Sequence, residues 1–325
     1  MRFWSATARR LAAAHRTWKR HLTVASRTWK RHLTVAFLLL PACATAAEPL
    51  VALDVGHYIA KPGATSARGV VEFEFNRALA LAIDTRLRQA GYRTELIGAD
   101  GQASDLAARP RRAREVGATL FISVHHDSAR ERFLRDWEYE GKPRKYLDDR
   151  FRGFSLFVSR QNPQWRLALE CASTLGAGLK AAGFTPSRYH ADPLLGEARE
   201  FADEANGVHF FDNLAVLRNA TIPALLFEAG VIVNRDEEAR LAQDATRARI
   251  AEALAQAMPA CVAQAAKALA ELPAPAPAGA AAPRPGGAAR PVRAPRAHAA
   301  PTLPGSAGGT PPSAAHALAA PAPLQ

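Results

Sequence analysis

The chain has 325 residues and a formal net charge of +12, and the excess positive charge is concentrated at its two ends. Residues 1–47 hold nine Lys and Arg and no acidic residue, and residues 272–325 hold four Arg and no acidic residue. The part between them holds 29 basic and 30 acidic residues, which argues against a nucleic-acid-binding domain, because such a domain carries its positive charge on the folded part.

Residues 1–47 have the features of a secretory signal peptide. Basic residues run through Arg31, the apolar stretch Leu33–Leu40 follows, and small residues offer cleavage after Ala46 or Ala47. The apolar stretch is too short to span a bilayer as a helix. The mature chain is therefore expected to be secreted, into the periplasm, and to carry no transmembrane helix.

Two further features mark this N-terminal region. The ten residues RTWKRHLTVA occur at 16–25 and again at 27–36, which indicates a duplicated basic region and not a structural repeat array. Residues 40–43, Leu-Pro-Ala-Cys, resemble a lipoprotein box with an atypical proline. Anchoring through Cys43 is therefore the alternative to free secretion.

Between residues 48 and 266, strand-like and helix-like segments alternate. The predicted strands are 50–55, 93–97, 119–125, 154–159, 214–218 and 223–228, and the predicted helices are 72–90, 104–116, 163–182 and 236–266. This alternation predicts a single α/β domain with a mostly parallel six-stranded sheet and helices on both faces.

Two segments differ from this pattern. Residues 129–152 are highly charged and aromatic, and we interpret them as an inserted loop or short helix close to the ends of the strands. Residues 267–325 are rich in Ala, Pro and Gly, a composition that cannot bury enough apolar surface to offset the entropy lost on ordering. They are predicted to form a disordered tail.

Histidines and glutamates lie at the ends of the apolar runs. His57 follows the first predicted strand, His125 ends the third, and Glu72 and Glu74 open the first predicted helix. Carboxyl ends of neighbouring strands border one crevice in an open α/β sheet. Catalytic zinc is commonly held by three protein ligands, and two histidines with one glutamate are a known set. The pattern predicts a zinc site with His57, His125 and one of the two glutamates.

Glu228 is the fourth candidate, because a carboxylate that ends an almost wholly apolar strand is costly without a partner or a function. It could act as the general base, or it could cap a neighbouring helix. Asp54 is a candidate to orient a ligand histidine. His126 is expected to face away from His125, because consecutive strand residues point to opposite faces. His126 and Asp127 are therefore candidates to support a metal ligand or to contact the substrate; the alternative is that both are structural residues.

Other polar residues leave alternatives open. A group before the predicted strand 214–218 could line a substrate groove or be solvated in a loop: His190, Asp192, Glu197 and His209. Cys171 and Cys261 could form one disulfide in an oxidising compartment or remain two buried thiols. The chain has no Cys-x-x-Cys pair, which excludes a cysteine-rich structural zinc site.

Taken together, these residues resemble the zinc-dependent N-acetylmuramoyl-L-alanine amidases that cut peptidoglycan, the amidase type 3 family. The resemblance covers roughly residues 49–258. His126-Asp127 departs from the Ala-Asn that is common there. The motifs that carry the resemblance are Asp-x-Gly-His at 54–57, a helix-opening glutamate at 72, Leu-x-x-Arg at 106–109, Ser-x-His at 123–125 and Glu-Ala-Gly at 228–230 with Asn234.

The resemblance implies a zinc amidase domain over residues 48–266, with His57, Glu72 and His125 as Zn²⁺ ligands and Glu228 as the catalytic glutamate. Glu72 is preferred over Glu74 because its distance to the helix end resembles that in the family. The implied substrate is peptidoglycan. Since some relatives carry an insert that blocks the site until a partner removes it, residues 129–152 also suggest an activator protein.

Three alternative functions are weighed against this one. The chain could be another zinc hydrolase, such as a peptidase acting on peptidoglycan stem peptides, or a non-catalytic wall-binding protein. It could also be a surface interaction protein that uses its Pro/Ala-rich tail. The complete set of metal and base candidates favours an enzyme.

Overall fold

The computed structural model describes residues 48–271. Residues 1–47 and 272–325 lie outside them, so the signal peptide, the Cys43 anchor and most of the predicted tail stay predictions. The elements in chain order are β1 (Leu50–Val55), α1 (Glu72–Gln89), β2 (Arg93–Ile97), α2 (Ala108–Glu115), β3 (Leu120–Asp127), β4 (Arg135–Tyr139), β5 (Lys142–Tyr146), β6 (Ser155–Val158), α3 (Trp165–Ala181), β7 (Phe201–Asp203), β8 (Val208–Phe210), α4 (Ala215–Arg218), β9 (Ala224–Val231), α5 (Arg235–Leu241) and α6 (Asp244–Glu271).

A seven-stranded sheet of order β2-β1-β3-β9-β6-β8-β7 forms the centre of the domain. The pairs β2–β1, β1–β3, β3–β9 and β6–β8 are parallel, and the pairs β9–β6 and β8–β7 are antiparallel. The predicted mostly parallel α/β sheet is confirmed. Its strand number is seven and not six, because β7 and β8 contain only three residues each and are too short to show a periodic pattern.

Helices cover both faces of the sheet because the side chains of each strand alternate between two cores. Val51, Leu53 and Val55 of β1 pack in the core beneath α1, α3 and α6. Leu50 and Ala52 of the same strand pack in the opposite core, with apolar residues of α2 and α4. All six residues of β1 are buried, as expected for a parallel strand covered on both sides.

Two predicted elements differ from the structure. The predicted strand 214–218 is the short helix α4, whose Leu214, Val216 and Leu217 are buried; a short apolar run does not separate a strand from a buried helix. The predicted helix 236–266 is two helices. The first of these, α5, is capped by Asn234, whose side chain accepts hydrogen bonds from the backbone N–H groups of Asp236 and Glu237.

The charged segment 129–152 is not a loop or a short helix. It contains a short 3-10 turn followed by the antiparallel hairpin β4–β5, with Tyr139 paired to Lys142 at its tip. Within residues 48–271, no helix is both long and apolar enough to cross a membrane.

A disulfide joins Cys171 of α3 to Cys261 of α6, which confirms the first of the two cysteine alternatives. Both cysteines are buried, and their separation of 90 residues means that the bond closes a long loop of the chain. Structural disulfides persist in oxidising compartments. The bond is therefore consistent with action outside the cytoplasm.

Removing this disulfide is expected to lower the free energy of unfolding by about 2–4 kcal/mol, because the crosslink restricts the unfolded chain. The variant is Cys171→Ala/Cys261→Ala, compared with the oxidised chain by urea denaturation. Reductant should shift the midpoint of the native chain and leave that of the double variant unchanged. Equal midpoints for all four samples would contradict a stabilising crosslink.

Candidate metal centre

The three predicted ligands come together at the carboxyl edge of the sheet. One ligand atom from each of His57, Glu72 and His125 lies within 4.8 Å of the others. Glu72 Oε2 is 3.0 Å from His57 Nε2, and Glu72 Oε1 is 3.0 Å from His125 Nδ1. The glutamate thus lies between two imidazole rings that are arranged edge to face, 4.9 Å apart.

Two glycines make room for this group. A Cβ on Gly56 would lie 2.3 Å from His125 Nε2, and a Cβ on Gly63 would lie 2.3 Å from Glu72 Oε2 and 2.7 Å from His57 Nε2. This close packing leaves no signal in the sequence. The backbone is left-handed at Gly63, with φ of 81°, and also at His57, with φ of 66°, an uncommon conformation for a residue with a side chain.

The Glu72 carboxyl is buried and carries a charge. Burial by itself would raise its pKa, but hydrogen bonds and charge interactions with His125 and His57 outweigh this and hold the pKa well below its usual range. Asn76 Nδ2 donates to Glu72 Oε1 at 3.1 Å, and the Ala64 N–H donates to Glu72 Oε2 at 3.1 Å. These donors fix the carboxylate in an orientation suited to a cation.

Glu74, the other glutamate of the first helical turn, is exposed and does not belong to this group. Residues two apart on a helix point in different directions, so only one of the two can face the edge of the sheet. The geometry therefore favours Glu72, in agreement with the family resemblance.

Glu228 lies beside the group. It is the Cα partner of His125 in the adjacent parallel strand β9. Its Oε2 atom is buried and has no hydrogen-bond partner among residues 48–271. Burial raises the pKa of Glu228 well above its usual value, and the charges of Asp127 and Glu72 raise it further. A buried carboxyl oxygen without a partner is costly, so this position needs a functional explanation.

Asp54 does not contact either ligand histidine. Its carboxylate is buried, lies 2.7 Å from Arg109 Nη1 and accepts a hydrogen bond from Ser123 Oγ at 2.7 Å. Arg109 in turn donates to the carbonyl oxygen of His57. Asp54 therefore reaches His57 through Arg109 and the backbone, and its predicted role in orienting a ligand histidine stays a prediction.

His126 faces away from His125, as strand alternation predicts. Its Nδ1 lies 2.8 Å from Asn76 Oδ1, and Asn76 is the residue that donates to Glu72. Burial lowers the pKa of His126 to about 3, so the ring is neutral. His126 therefore supports Glu72 through Asn76 and does not contact the solvent-exposed side of the three-residue group.

Asp127, at the end of β3, contacts two residues of the turn 189–191. It accepts hydrogen bonds from Tyr189 Oη and from His190 Nε2, the latter at 2.7 Å. His190 and His209 are buried, so they neither line an open groove nor lie in a solvated loop. The sequence contains no local signal for this contact, because Asp127 and His190 are 63 residues apart.

The hairpin β4–β5 packs on the loop that leads to Glu72. Trp137 Nε1 donates to the carbonyl oxygen of Ala67 at 3.0 Å, and a Cβ on Gly69 would lie 2.4 Å from the Arg144 guanidinium. In the part of the chain that the structure describes, no residue of 129–152 belongs to the three-residue group. The side chains of His57 and His125 remain 22% and 16% exposed.

The domain is a mostly parallel α/β domain. At its strand ends it holds two histidines and a glutamate beside the Glu228 carboxyl, and these features are those of a hydrolase domain. The family model described as N-acetylmuramoyl-L-alanine amidase (Amidase_3) matches residues 51–260, and the chain belongs to this family. It is a peptidoglycan amidase.

Solved structures agree with the fold. The amidase Ami1 from Mycobacterium smegmatis is similar with a TM-score of 0.52 and 19% identity, over 66% of this chain and 97% of that chain. The apo form of Ami1 from Mycobacterium abscessus has a TM-score of 0.52 and 21% identity, over 66% and 98%. The CwlD amidase from Clostridioides difficile, in complex with the GerS lipoprotein, has a TM-score of 0.50 and 18% identity, over 66% and 99%. A search of curated proteins finds no match.

Proposed function

We propose that the chain is a zinc-dependent amidase whose metal ligands are His57, Glu72 and His125. The observation that carries this proposal is the convergence of their ligand atoms within 4.8 Å at the edge of the sheet. The residues fit the ion: two imidazoles and one carboxylate form a known catalytic zinc set, which leaves a position for water or substrate. Because Gly63 has no side chain, the ligand atoms Glu72 Oε2 and His57 Nε2 beside it are unobstructed.

The scissile bond is the amide between the lactyl group of N-acetylmuramic acid and L-alanine. When bound, zinc acts as a Lewis acid that polarises the amide carbonyl and makes water more acidic. Glu228 takes the proton from the attacking water and later donates it to the departing amine of L-alanine. Its buried Oε2 has no hydrogen-bond partner among residues 48–271, so this carboxyl oxygen is available for both transfers.

The remaining site residues position these groups. Asn76 and the Ala64 N–H hold the Glu72 carboxylate, and His126 holds Asn76. Asp54 holds Arg109, which binds the His57 carbonyl. Glu72 and His57 are thus supported by neighbouring donors, which is the arrangement that fixes ligand geometry at zinc sites.

Product analysis with metal analysis tests this proposal. The purified full chain is expected to bind about one zinc per molecule and to release from sacculi stem peptides that begin with L-alanine. Chelation should stop the release, and added Zn²⁺ should restore it. Fragments cut within the stem peptide would favour the peptidase alternative, and binding to sacculi without release would favour a wall-binding protein. Full activity after complete metal removal would overturn zinc dependence.

We also propose that the chain acts in the periplasm, with residues 1–47 as a signal peptide, 48–266 as the catalytic domain and 267–325 as a tail. The end of α6 at Glu271 extends the domain slightly beyond its predicted boundary. The buried disulfide supports an oxidising compartment. A partner protein is a further proposal; the structure of the similar CwlD amidase is a complex with the GerS lipoprotein.

A further inference from the structure

A cluster of charged residues lies beside the end of β3 and is not used by the reaction described above; Asp127 and His190 are buried, and Glu197 and Arg199 are half-buried. The His190 ring lies between two carboxylates: Nε2 is 2.7 Å from Asp127 Oδ2, and Nδ1 is 3.0 Å from Glu197 Oε2. Arg199 Nε lies 3.3 Å from the same oxygen of Glu197. Tyr189 Oη also donates to Asp127.

The geometry makes His190 an imidazolium. Carboxylates only accept hydrogen bonds, so a ring with both nitrogens facing carboxylate oxygens carries a hydrogen on each. Burial by itself would lower the pKa of His190, but Asp127 and Glu197 outweigh it and raise the pKa to about 9. The four charged members are then balanced, with two anions and two cations. A buried pair of this kind is costly to break, because removal of one partner leaves an uncompensated charge.

This cluster is adjacent to the proposed base. Asp127 lies two residues beyond His125, the strand partner of Glu228, and it pairs with Val231 at the end of the strand that carries Glu228. The backbone carbonyl of Asp127 also accepts a hydrogen bond from the Ile232 N–H at 3.1 Å, just after β9 ends. A change in the charge or position of Asp127 would therefore act directly on the strand that carries Glu228.

We propose that His190 is a positioning residue for the amidase reaction, acting through Asp127. Its cation holds the Asp127 carboxylate in place and compensates its charge beside Glu228. This inference rests on the proposed function, because it takes Glu228 as the base. The buried turn 189–191 is thus part of the site, although no atom of His190 belongs to the metal group.

The test compares variants of the full chain on a soluble N-acetylmuramoyl peptide, with kcat, KM, zinc content and Tm measured for each. His190→Gln is expected to lower kcat about tenfold and to leave KM and zinc content nearly unchanged, within the range of couplings between contacting charged residues. Asp127→Asn/His190→Gln, which removes both charges, is expected to recover kcat to within about threefold of the native chain.

His209→Phe is the matched control. His209 is also buried, it stacks on Phe201 with ring centroids 4.4 Å apart, and neither of its ring nitrogens has a hydrogen-bond partner among the described residues. This variant should keep the native kcat. If it loses as much kcat as His190→Gln, the effect is one of packing and the inference is overturned.

Three further results would overturn the inference: native kcat in His190→Gln, a change in KM alone, or a double variant as slow as the single one. If His190→Gln does not fold, His190→Lys replaces it and keeps a cation between the carboxylates. That variant should retain at least about a third of the native kcat, and a folded Lys variant about tenfold slower would contradict the inference. Activity in Glu228→Gln would instead refute the proposed base, independently of His190.

Discussion

Glu228→Gln is expected to lower turnover on purified peptidoglycan by at least about 100-fold, within the 10²–10⁴-fold range typical of general acid–base groups. Glutamine keeps the size and hydrogen-bonding reach of the side chain but cannot accept the proton of the attacking water. Because Glu228 is not one of the three ligand residues, zinc content should stay at the native level. The measurements are dye release from labelled sacculi and metal analysis of the same preparation.

Glu237→Gln is the matched control for this experiment. Burial also raises the pKa of Glu237, but its Oε2 atom accepts hydrogen bonds from the N–H groups of both Val231 and Gly153, which one glutamine oxygen can still accept. This variant should keep its turnover. Near-native activity in Glu228→Gln would remove Glu228 from the mechanism. Loss of zinc in that variant would make Glu228 a ligand and require another base.

Alanine at His57, Glu72 or His125 is expected to weaken zinc binding by more than about 100-fold. Loss of a residue that only supports a ligand already costs about 10–100-fold in metal affinity, and loss of a ligand removes a direct bond. Competition with a chelator of known affinity measures the change. Circular dichroism of each variant separates loss of the metal from loss of the fold.

Glu74→Ala tests the choice between the two glutamates of the first helical turn. Glu74 is exposed and lies outside the three-residue group, so its removal should leave zinc affinity and turnover nearly unchanged. If Glu74→Ala instead strips the metal and Glu72→Ala does not, the assignment of the carboxylate ligand is wrong.

The candidate site was largely predictable because its residues lie at element boundaries. His57 and His125 follow apolar strand runs and Glu72 begins a helix, so local pattern and the topology of a parallel sheet are enough to bring them to one edge. The need for glycine at positions 56 and 63 was not predictable. Gly56 is needed because the His125 ring, 69 residues away, occupies the space a side chain would fill.

The contacts of the supporting polar residues could not be derived from spacing. Asp54 was expected to orient a ligand histidine, and its charged partner is Arg109, which is 55 residues away on helix α2. The partners of Asp127 are similarly remote in sequence. A single carboxylate shows no pattern along the chain, because its partner is determined by how two elements pack and not by either element alone.

Hydrophobic periodicity and short motifs are local properties, so they are enough to predict the α/β class, the parallel central strands, the strand-end histidines and the carboxyl of Glu228. The number of strands, the hairpin form of residues 129–152 and the Cys171–Cys261 bond depend on the folded chain. The same holds for His190 as a buried cation between two carboxylates. Three-residue strands, disulfides and buried ion pairs are stabilised by contacts between segments that are far apart in the chain. Such contacts leave no periodic signal in either segment.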